Sequence, residues 1–454
     1  MNILSIHTSH DGCMTYVSKN KIIFHTQLDR YNRMKHYTFP TKNILNIIEN
    51  LDIDKLIITH LEDHSTLLWR DVFQSSLKLK NIFNNNLIYY DNHHHLFHVY
   101  CALTWNKNIK NILICDCRGK KINNSYENES YYTFNNLILN HVITESNSIG
   151  QDYQTFTENF FKDPHALGKT MALSLYNSPA KKIQEKYEIK MNNLIKNFNI
   201  KKELLFSGGC AQNILFNNKI LDNFKNVFCD PFNGDFGISL GAINYFLNNK
   251  IKNNKIYLGI KQNINTDLFL QFKILKVTPN DVAKILLNDP VAIFQSRSEQ
   301  GQRGLGNRSL LMSPINKNAN DKLNQIKKRE WYRPFACSIL QEKAREWFDL
   351  KKLDESPYMM FAFKIKKNKK NVLKSGIAIN NTSRIQTVKK SQNFHYYNLI
   401  KEFDKITNIP ILINTSLNLP GEVLVETLYD MREMFINSNL KYIYLPEINK
   451  IICK

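Results

Sequence analysis

The chain has 454 residues, 43% of them hydrophobic, and carries 61 Lys and Arg against 40 Asp and Glu for a formal charge of +21. That length calls for two or three domains, each able to bury its own core. No apolar run approaches the ~18 residues of a membrane span, and the eight scattered cysteines form no CxxC pair, which excludes a disulfide framework and a zinc ribbon.

The opening MNILSIHTSHDG lacks the basic front and long apolar stretch of a signal peptide. A reducing, cytoplasmic setting is therefore expected. NILSIH reads as a strand, followed after a polar turn by strands MTYVS and KIIFHTQ. A helix at KNILNIIENL leads to strand KLIITHL, then NLIYYD, a helix beginning near HHHLFHVYCAL, and the buried strand NILICD. ELLFSGGCAQNILFNN reads as strand, glycine turn and helix, and NVFCDPFNGDFGISLGAINYFL repeats that pattern. Strands alternating with helices indicate an α/β protein with a mixed sheet. The polar, basic stretch NNKIKNNKIYLGIKQN marks a boundary, which divides the chain into residues 1–258 and 259–454. Beyond it VAIFQ, YMMFAFKI and IPILINTS read as strands. No internal repeat is visible.

Abundant Asn, Lys and Ile point to AT-rich coding, which inflates Lys; the shortage of acids does not follow from the same bias. Part of the charge therefore reads as a field that attracts nucleic acid or anionic substrates, against the plainer reading of a solvated basic surface.

His94 and His98 lie four apart, so a helix carries them on one face, one turn apart. Asp116 ends the apolar strand NILICD, where open α/β sheets place functional groups. Asp235 precedes a predicted helix in NGDFGISLG. Two imidazoles and two carboxylates suit iron(II), manganese or zinc if the four converge. His10 and Asp11 follow the first strand; a neutral His10 there can take a proton from an attacking hydroxyl, although Asp-Gly is also an ordinary turn pair. Gly208 and Gly209 leave N–H groups at a helix start, which favours phosphate, or simply make a tight turn.

SRSEQGQRGLGNRSLL, residues 296–311, concentrates Arg297, Arg303 and Arg308 with Gly301, Gly304 and Gly306. Fixed guanidinium forks beside bare backbone suit a polyanion such as a triphosphate; a solvated basic turn is the alternative. KKREWYRPFACS adds Lys327, Lys328, Arg329 and Arg333, NNTSRIQTV adds Arg384, and LINTSLNLPGE presents Asn414, Thr415, Ser416 and Asn418 at a strand end.

In order along the chain, HDG, HHLFH, LICD, GKTMAL, GGCAQN, GDFGISLGA, RSEQGQRGLGNRSLL, KREWYRPFACSIL, TSRIQTV and INTSLNLPGE span residues 10–422. This ordered set resembles the O-carbamoyltransferases that act on nodulation factors and on antibiotics such as aminoglycosides and cephalosporins. The resemblance implies an actin-like ATPase-type N-terminal domain, of the kind that transfers threonylcarbamoyl to tRNA, and a YrdC-like α/β C-terminal domain. It implies that carbamoyl phosphate and ATP, with magnesium, give carbamoyl-adenylate and pyrophosphate in the second domain. An acceptor hydroxyl would then attack the intermediate in the first. By match to the family motifs, His10 with Asp11 is the catalytic pair, and His94, His98, Asp116 and Asp235 hold a divalent metal, iron(II) before manganese or zinc. Gly208, Gly209 and Asn213 contact nucleotide. Arg303, Lys328, Arg384, Asn414 and Ser416 form the activation site, with Arg297, Arg308, Arg329 and Arg333 as further phosphate ligands.

The chain departs from the family where HxDGTARxQTV becomes AINNTSRIQTV, with Ala378 and Asn380 in place of histidine and aspartate, and where HDSAA becomes HDGCM. It is also shorter than most relatives, mainly in the acceptor-binding part. With the +21 charge, this favours a hydroxylated base in nucleic acid, such as 5-hydroxymethylcytosine, over a sugar or antibiotic hydroxyl. A nucleotide-binding protein without turnover is the reading from another class, and the retained His10, metal set and phosphate loops weigh against it.

Overall fold

A computed structural model describes residues 1–59, 69–91, 93–117, 119–122, 125–135, 138–143 and 148–454. The chain divides into two compact units, Met1–Asn254 and Lys255–Lys454.

The first unit holds two five-stranded sheets. One contains β1 (Asn2–His7), β2 (Cys13–Ser18), β3 (Lys21–Gln27), β4 (Lys55–Thr59) and β5 (Leu87–Tyr90), in the order β3-β2-β1-β4-β5. The strands β1 to β3 form an antiparallel meander, and β4 and β5 run parallel to β1. After β6 (Asn111–Cys115) and the small hairpin of β7 (Lys121–Ile122) and β8 (Ser125–Tyr126) come β9 (Glu129–Asn135), β10 (Ile138–Ile143), β11 (Glu203–Ser207) and β12 (Asn226–Cys229). The second sheet has the order β10-β9-β6-β11-β12, again an antiparallel meander followed by two parallel strands. Numbered within each sheet, both read 3-2-1-4-5. The unit is thus a doubled fold, the arrangement expected of an actin-like domain, and a repeat exists in topology where none shows in sequence.

The central strands are apolar without alternation, as Leu56, Ile57 and Ile58 or Ile112, Leu113 and Ile114 illustrate, because their side chains are buried on both faces. The helix Lys42–Glu49 forms because Thr41 caps its first turn, accepting from Ile44 N at 3.4 Å, and Ile44 and Ile48 bury one stripe. The end of the strand read over 55–61 lies outside the described residues.

The helix pair that positions the site is His94–Trp105 against Ile238–Phe246. A Cβ at Gly241 would stand 2.0 Å from the Phe97 carbonyl oxygen, so only glycine permits this approach. Asn244 Nδ2 donates to the Tyr100 carbonyl at 2.8 Å and fixes the register.

The second unit is built on a nine-stranded mixed sheet: β13 (Lys273–Lys276), β14 (Val291–Phe294), β15 (Arg308–Met312), β16 (Ala336–Leu340), β17 (Ala362–Lys364), β18 (Thr382–Val388), β19 (Ile411–Ser416), β20 (Tyr442–Leu445) and β21 (Lys450–Cys453). Its order is β13-β21-β20-β14-β15-β19-β16-β18-β17. The strand read over YMMFAFKI is shorter than expected, only Ala362–Lys364. The helix Pro279–Leu286 opens with a capping box between Thr278 and Asp281. No helix is long and apolar enough to cross a membrane among the described residues, and all eight cysteines are free.

Candidate metal centre and anion site

In the first unit, His94, His98, Asp116 and Asp235 converge, with one ligand atom from each within 4.8 Å of the others. His94 and His98 lie one turn apart on their helix, and their ring centroids are 4.9 Å apart. Asp116 leaves the end of β6 beneath them. Asp235 sits at the short turn of helix before Ile238, which the Gly241 contact presses against the histidine helix. His98 Nε2 stands 3.4 Å from Asp116 Oδ2 and 3.6 Å from Asp235 Oδ1, and His94 Nε2 is 3.4 Å from Asp235 Oδ1. His98 is fully buried, yet neither ring nitrogen meets hydrogen-bond geometry with any described residue. A buried imidazole short of partners between two carboxylates is a donor set that fits a divalent transition metal.

The electrostatics agree. Burial opposes charge on His98, but the Asp116 and Asp235 carboxylates outweigh it and raise its pKa above the ordinary histidine value. Burial likewise opposes ionisation of Asp235, and His94 and His98 prevail, holding its carboxyl well below the usual range. Asp116 is further fixed by two backbone donors, Cys117 N at 2.6 Å to Oδ1 and Gly209 N at 3.0 Å to Oδ2. Supports of this kind orient ligands around metals.

The Gly208–Gly209 turn therefore faces Asp116. Gly208 has φ 87° and ψ 164°, a conformation nearly closed to other residues, and a Cβ there would meet the Cys115 carbonyl oxygen at 2.3 Å. Asn213 caps the helix Ile214–Asn223, accepting from Phe216 N at 3.1 Å while donating to Gln184 Oε1 at 2.9 Å. Its side chain is thus engaged in structure.

His10 is 46% exposed at the turn after β1, beside Asp11. Its ring stacks on those of His36 and His165. Sequence reasoning did not single out these two; they lie 26 and 155 residues from His10 and share no motif spacing with it.

In the second unit, Arg303, Arg329, Arg333 and Arg384 gather as half-buried side chains. Burial and then Arg333 push Arg303 down to about 10. Burial, then Arg333 and Arg303, push Arg329 down to about 9. Arg384 is held well below the usual value by burial and by the other three. The one carboxylate paired to this group among the described residues is Glu330, 3.3 Å from Arg333. Arg384 Nε has no hydrogen-bond partner there, and Arg329 Nη2 reaches Thr415 Oγ1 at 3.4 Å. Four guanidinium groups with one paired acid among the described residues are an arrangement that suits a polyanion.

The other two arginines of the 296–311 stretch lie elsewhere. Arg308 begins β15, fully buried, and donates to the carbonyls of Gln295, Ser296, Asn307 and Glu426 at 2.6–3.1 Å, with its guanidinium 3.6 Å from the Phe294 ring centroid. Arg297 Nη1 donates to the Gly259 carbonyl at 2.7 Å. Both shape the loop. Lys328 ends the helix Ala319–Lys327 in the left-handed region at φ 41° and turns to solvent. Lys327 instead reaches the end of β19, donating to Ser416 O, Asn418 O and Asn418 Oδ1, each at 2.7 Å. Ser416 Oγ donates to Asn418 Oδ1 at 2.6 Å. Asn414 is buried on β19, donating to Ser338 and Gln386, with Oδ1 lacking a partner among the described residues. Gly304 lets the loop touch this strand end; a Cβ there would lie 2.8 Å from Ser416 Cα. Asn380, at the departure noted above, braces the turn before β18 by accepting from Thr382 N and Oγ1.

The family models for the carbamoyltransferase N-terminus and C-terminus match residues 61–193 with 181–243 and residues 282–450. The chain belongs to the carbamoyltransferase family. It is 26% identical to an uncharacterised protein of Methanocaldococcus jannaschii over 98% of both chains. It is 34% identical to nodulation protein NolNO of Sinorhizobium fredii over 53% of this chain and 38% of that protein, and 34% identical to nodulation protein NolO of Bradyrhizobium diazoefficiens over 52% and 47%. The match thus spans less than half of either nodulation protein. Among solved structures, the activator of 2-hydroxyisocaproyl-CoA dehydratase from Clostridium difficile is 10% identical with a TM-score of 0.34, covering 56% of this chain and 100% of that one. A ROK hexokinase from Thermus thermophilus is 8% identical with a TM-score of 0.34, covering 55% and 99%. For this carbamoyltransferase the doubled sheet order describes the fold more directly than either neighbour.

Proposed function

We propose that the protein is an ATP-dependent O-carbamoyltransferase. Carbamoyl phosphate and ATP, as its magnesium complex, react in the second unit, which takes the YrdC-like role: water releases inorganic phosphate from carbamoyl phosphate, an oxygen of the resulting carbamate attacks the α-phosphorus of ATP, carbamoyl-adenylate forms and pyrophosphate leaves. The acceptor hydroxyl is activated at His10 in the first unit and attacks the carbamoyl carbon, releasing AMP. The observation that carries this reading is the under-compensated arginine group. Its charge suits two phosphate esters together, and a site that neutralises developing negative charge away from water lowers the barrier to adenylate formation. Lys327, Ser416 and Asn414 border the same strand end and supply polar groups beside it. His94, His98, Asp116 and Asp235 would hold a divalent ion of the iron, manganese or zinc class, which supplies Lewis-acid polarisation when bound.

The leading acceptor is a hydroxymethylated base in nucleic acid, 5-hydroxymethylcytosine first. The charge of +21 supports it, and the base would leave its stack or start single-stranded. The test is one reaction with ATP, carbamoyl phosphate, a divalent metal and hydroxymethylated DNA, digested to nucleosides for mass spectrometry. A hydroxymethyl nucleoside heavier by one carbamoyl group is the expected product. Unchanged DNA with pyrophosphate still released overturns the nucleic-acid acceptor and directs the search to sugar and antibiotic hydroxyls. No carbamoyl-phosphate-dependent pyrophosphate overturns the activation chemistry itself.

A further inference from the structure

We propose that His10, His36 and His165 form a second metal site, one that takes a zinc-class divalent cation on three neutral imidazoles and leaves a coordination position open. The three come from separate segments: the turn after β1, the stretch after β3, and the turn before the helix Leu167–Leu173. One ligand nitrogen from each lies within 4.8 Å of the others.

The approach of the three nitrogens carries the argument, and the ring separations measure how far the site must adjust. A nitrogen 2.0–2.1 Å from zinc sets its ring centroid about 3.2 Å from the ion, so two rings 90–110° apart stand about 4.5–5.2 Å from one another. The observed separations are 4.7 Å for His10 and His36, 5.2 Å for His10 and His165, and 3.9 Å for His36 and His165. Two separations already fall in the range, but the rings stack nearly parallel, at 14°, 17° and 25°, so binding asks them to rotate until their in-plane lone pairs meet and the closest pair to part by roughly half an ångström. The His94–His98 pair, at 4.9 Å, satisfies the same measure.

Asp11 is the independent observation. Its Oδ1 lies 2.6 Å from His36 Nδ1. An ionised carboxylate only accepts, so Nδ1 carries the hydrogen, and in the neutral ring Nε2 is then the nitrogen left to ligate. A carboxylate that fixes the tautomer and turns the other nitrogen to an ion is the common support of metal-bound histidine. The other oxygen of Asp11 is 3.5 Å from His10 Nε2, so one acid lies beside two of the three rings. Asp11 does this from φ 53°, a left-handed conformation uncommon outside glycine. His10 and His165 are exposed and His36 is half-buried, which leaves one side of the triangle open to an incoming oxygen ligand.

The inference deepens the transfer reading and rests on it only for the role of the ion. An acceptor hydroxyl in the open position gives its proton to water, its oxygen bonds to the carbamoyl carbon, and the carbon–oxygen bond to AMP breaks. His10 then acts as a ligand to the activating ion.

The test is titration of the chelator-stripped full chain with cobalt(II), reading visible absorption and the metal retained after desalting. The native chain is expected to hold two equivalents. His165→Ala, at an exposed position, is expected to hold one, with unchanged circular dichroism; His98→Ala is expected to lose the other. His36→Gln serves as a second variant for the same equivalent. One equivalent in the native chain, unchanged by His165→Ala and His36→Gln, overturns the proposal. Loss of pyrophosphate release with two equivalents still bound would overturn the transfer reading and leave the site standing.

Discussion

Replacing Arg303 by Met should make the unliganded protein more stable and the enzyme inactive in its first half-reaction. The displacement of Arg303 from 12.5 to about 10, caused by burial and Arg333, corresponds to roughly 3 kcal/mol at 1.36 kcal/mol per tenfold. The side chain is half-buried, so water screens much of that, and about 1 kcal/mol remains. Little offsets it: the hydrogen bond from Arg303 to the Gln302 carbonyl is long, at 3.3 Å. Since the lowered pKa means the folded state disfavours the cation, the cost is present at every pH below about 10 and vanishes with the charge. Met keeps the stem and removes the charge. Urea unfolding at pH 7.5 should therefore shift upward by about 1 kcal/mol, while carbamoyl-phosphate-dependent pyrophosphate release from ATP falls at least a hundredfold. If Arg303→Met unfolds more easily than the native chain, the arginine group is already compensated and does not await a polyanion. If it releases pyrophosphate normally, the group is not where ATP is activated.

His10→Asn should spare pyrophosphate release and stop transfer, measured as carbamoylated product against pyrophosphate in one reaction; loss of both would refute the division of labour between the units. Gly208→Ala forces a Cβ toward the Cys115 carbonyl and costs about 1–3 kcal/mol in backbone strain alone. By displacing the Gly209 N–H from Asp116, it should weaken metal binding at His94 and His98 by about 10–100-fold in a calorimetric titration. Asp230→Asn tests buried charge: burial raises Asp230 to about 6 from 3.8, so its ionisation costs stability that is absent below pH 3.8 and complete above about 6. The variant should be more stable by about 1–3 kcal/mol at pH 8 and nearly equal at pH 4 in denaturant unfolding. On DNA, transfer measured below saturation should fall about tenfold between 50 and 200 mM salt for every two phosphates contacted; a flat profile would remove the nucleic-acid reading.

The meeting of His94, His98 and Asp116 was legible in sequence because the histidines obey helix periodicity and Asp116 ends an apolar strand. Asp235 came into reach through a glycine-rich turn whose helix packs by Gly241. The His36 and His165 partners of His10 left no trace, since tertiary folding alone brings three unrelated segments together. In the 296–311 stretch all three arginines were expected to hold phosphate. Its last part, RSLL, instead begins the central strand β15, and Arg308 is buried and consumed by carbonyls. Lys327 and Lys328 could not be told apart without the point where their helix ends. The doubled topology was hidden for a different reason: strand order and direction are shared between the halves, while loop lengths and side chains are not.

The clustered arginines also say something about the lifetime of the protein in a cell. A fold that holds like charges together when empty is least stable when it has nothing to bind, and each anion that settles there raises the barrier to proteolysis by stabilising the native state. If the arginine group binds the proposed nucleotide and phosphate substrates, abundance of the enzyme follows their supply, and starved cells clear the idle copies first.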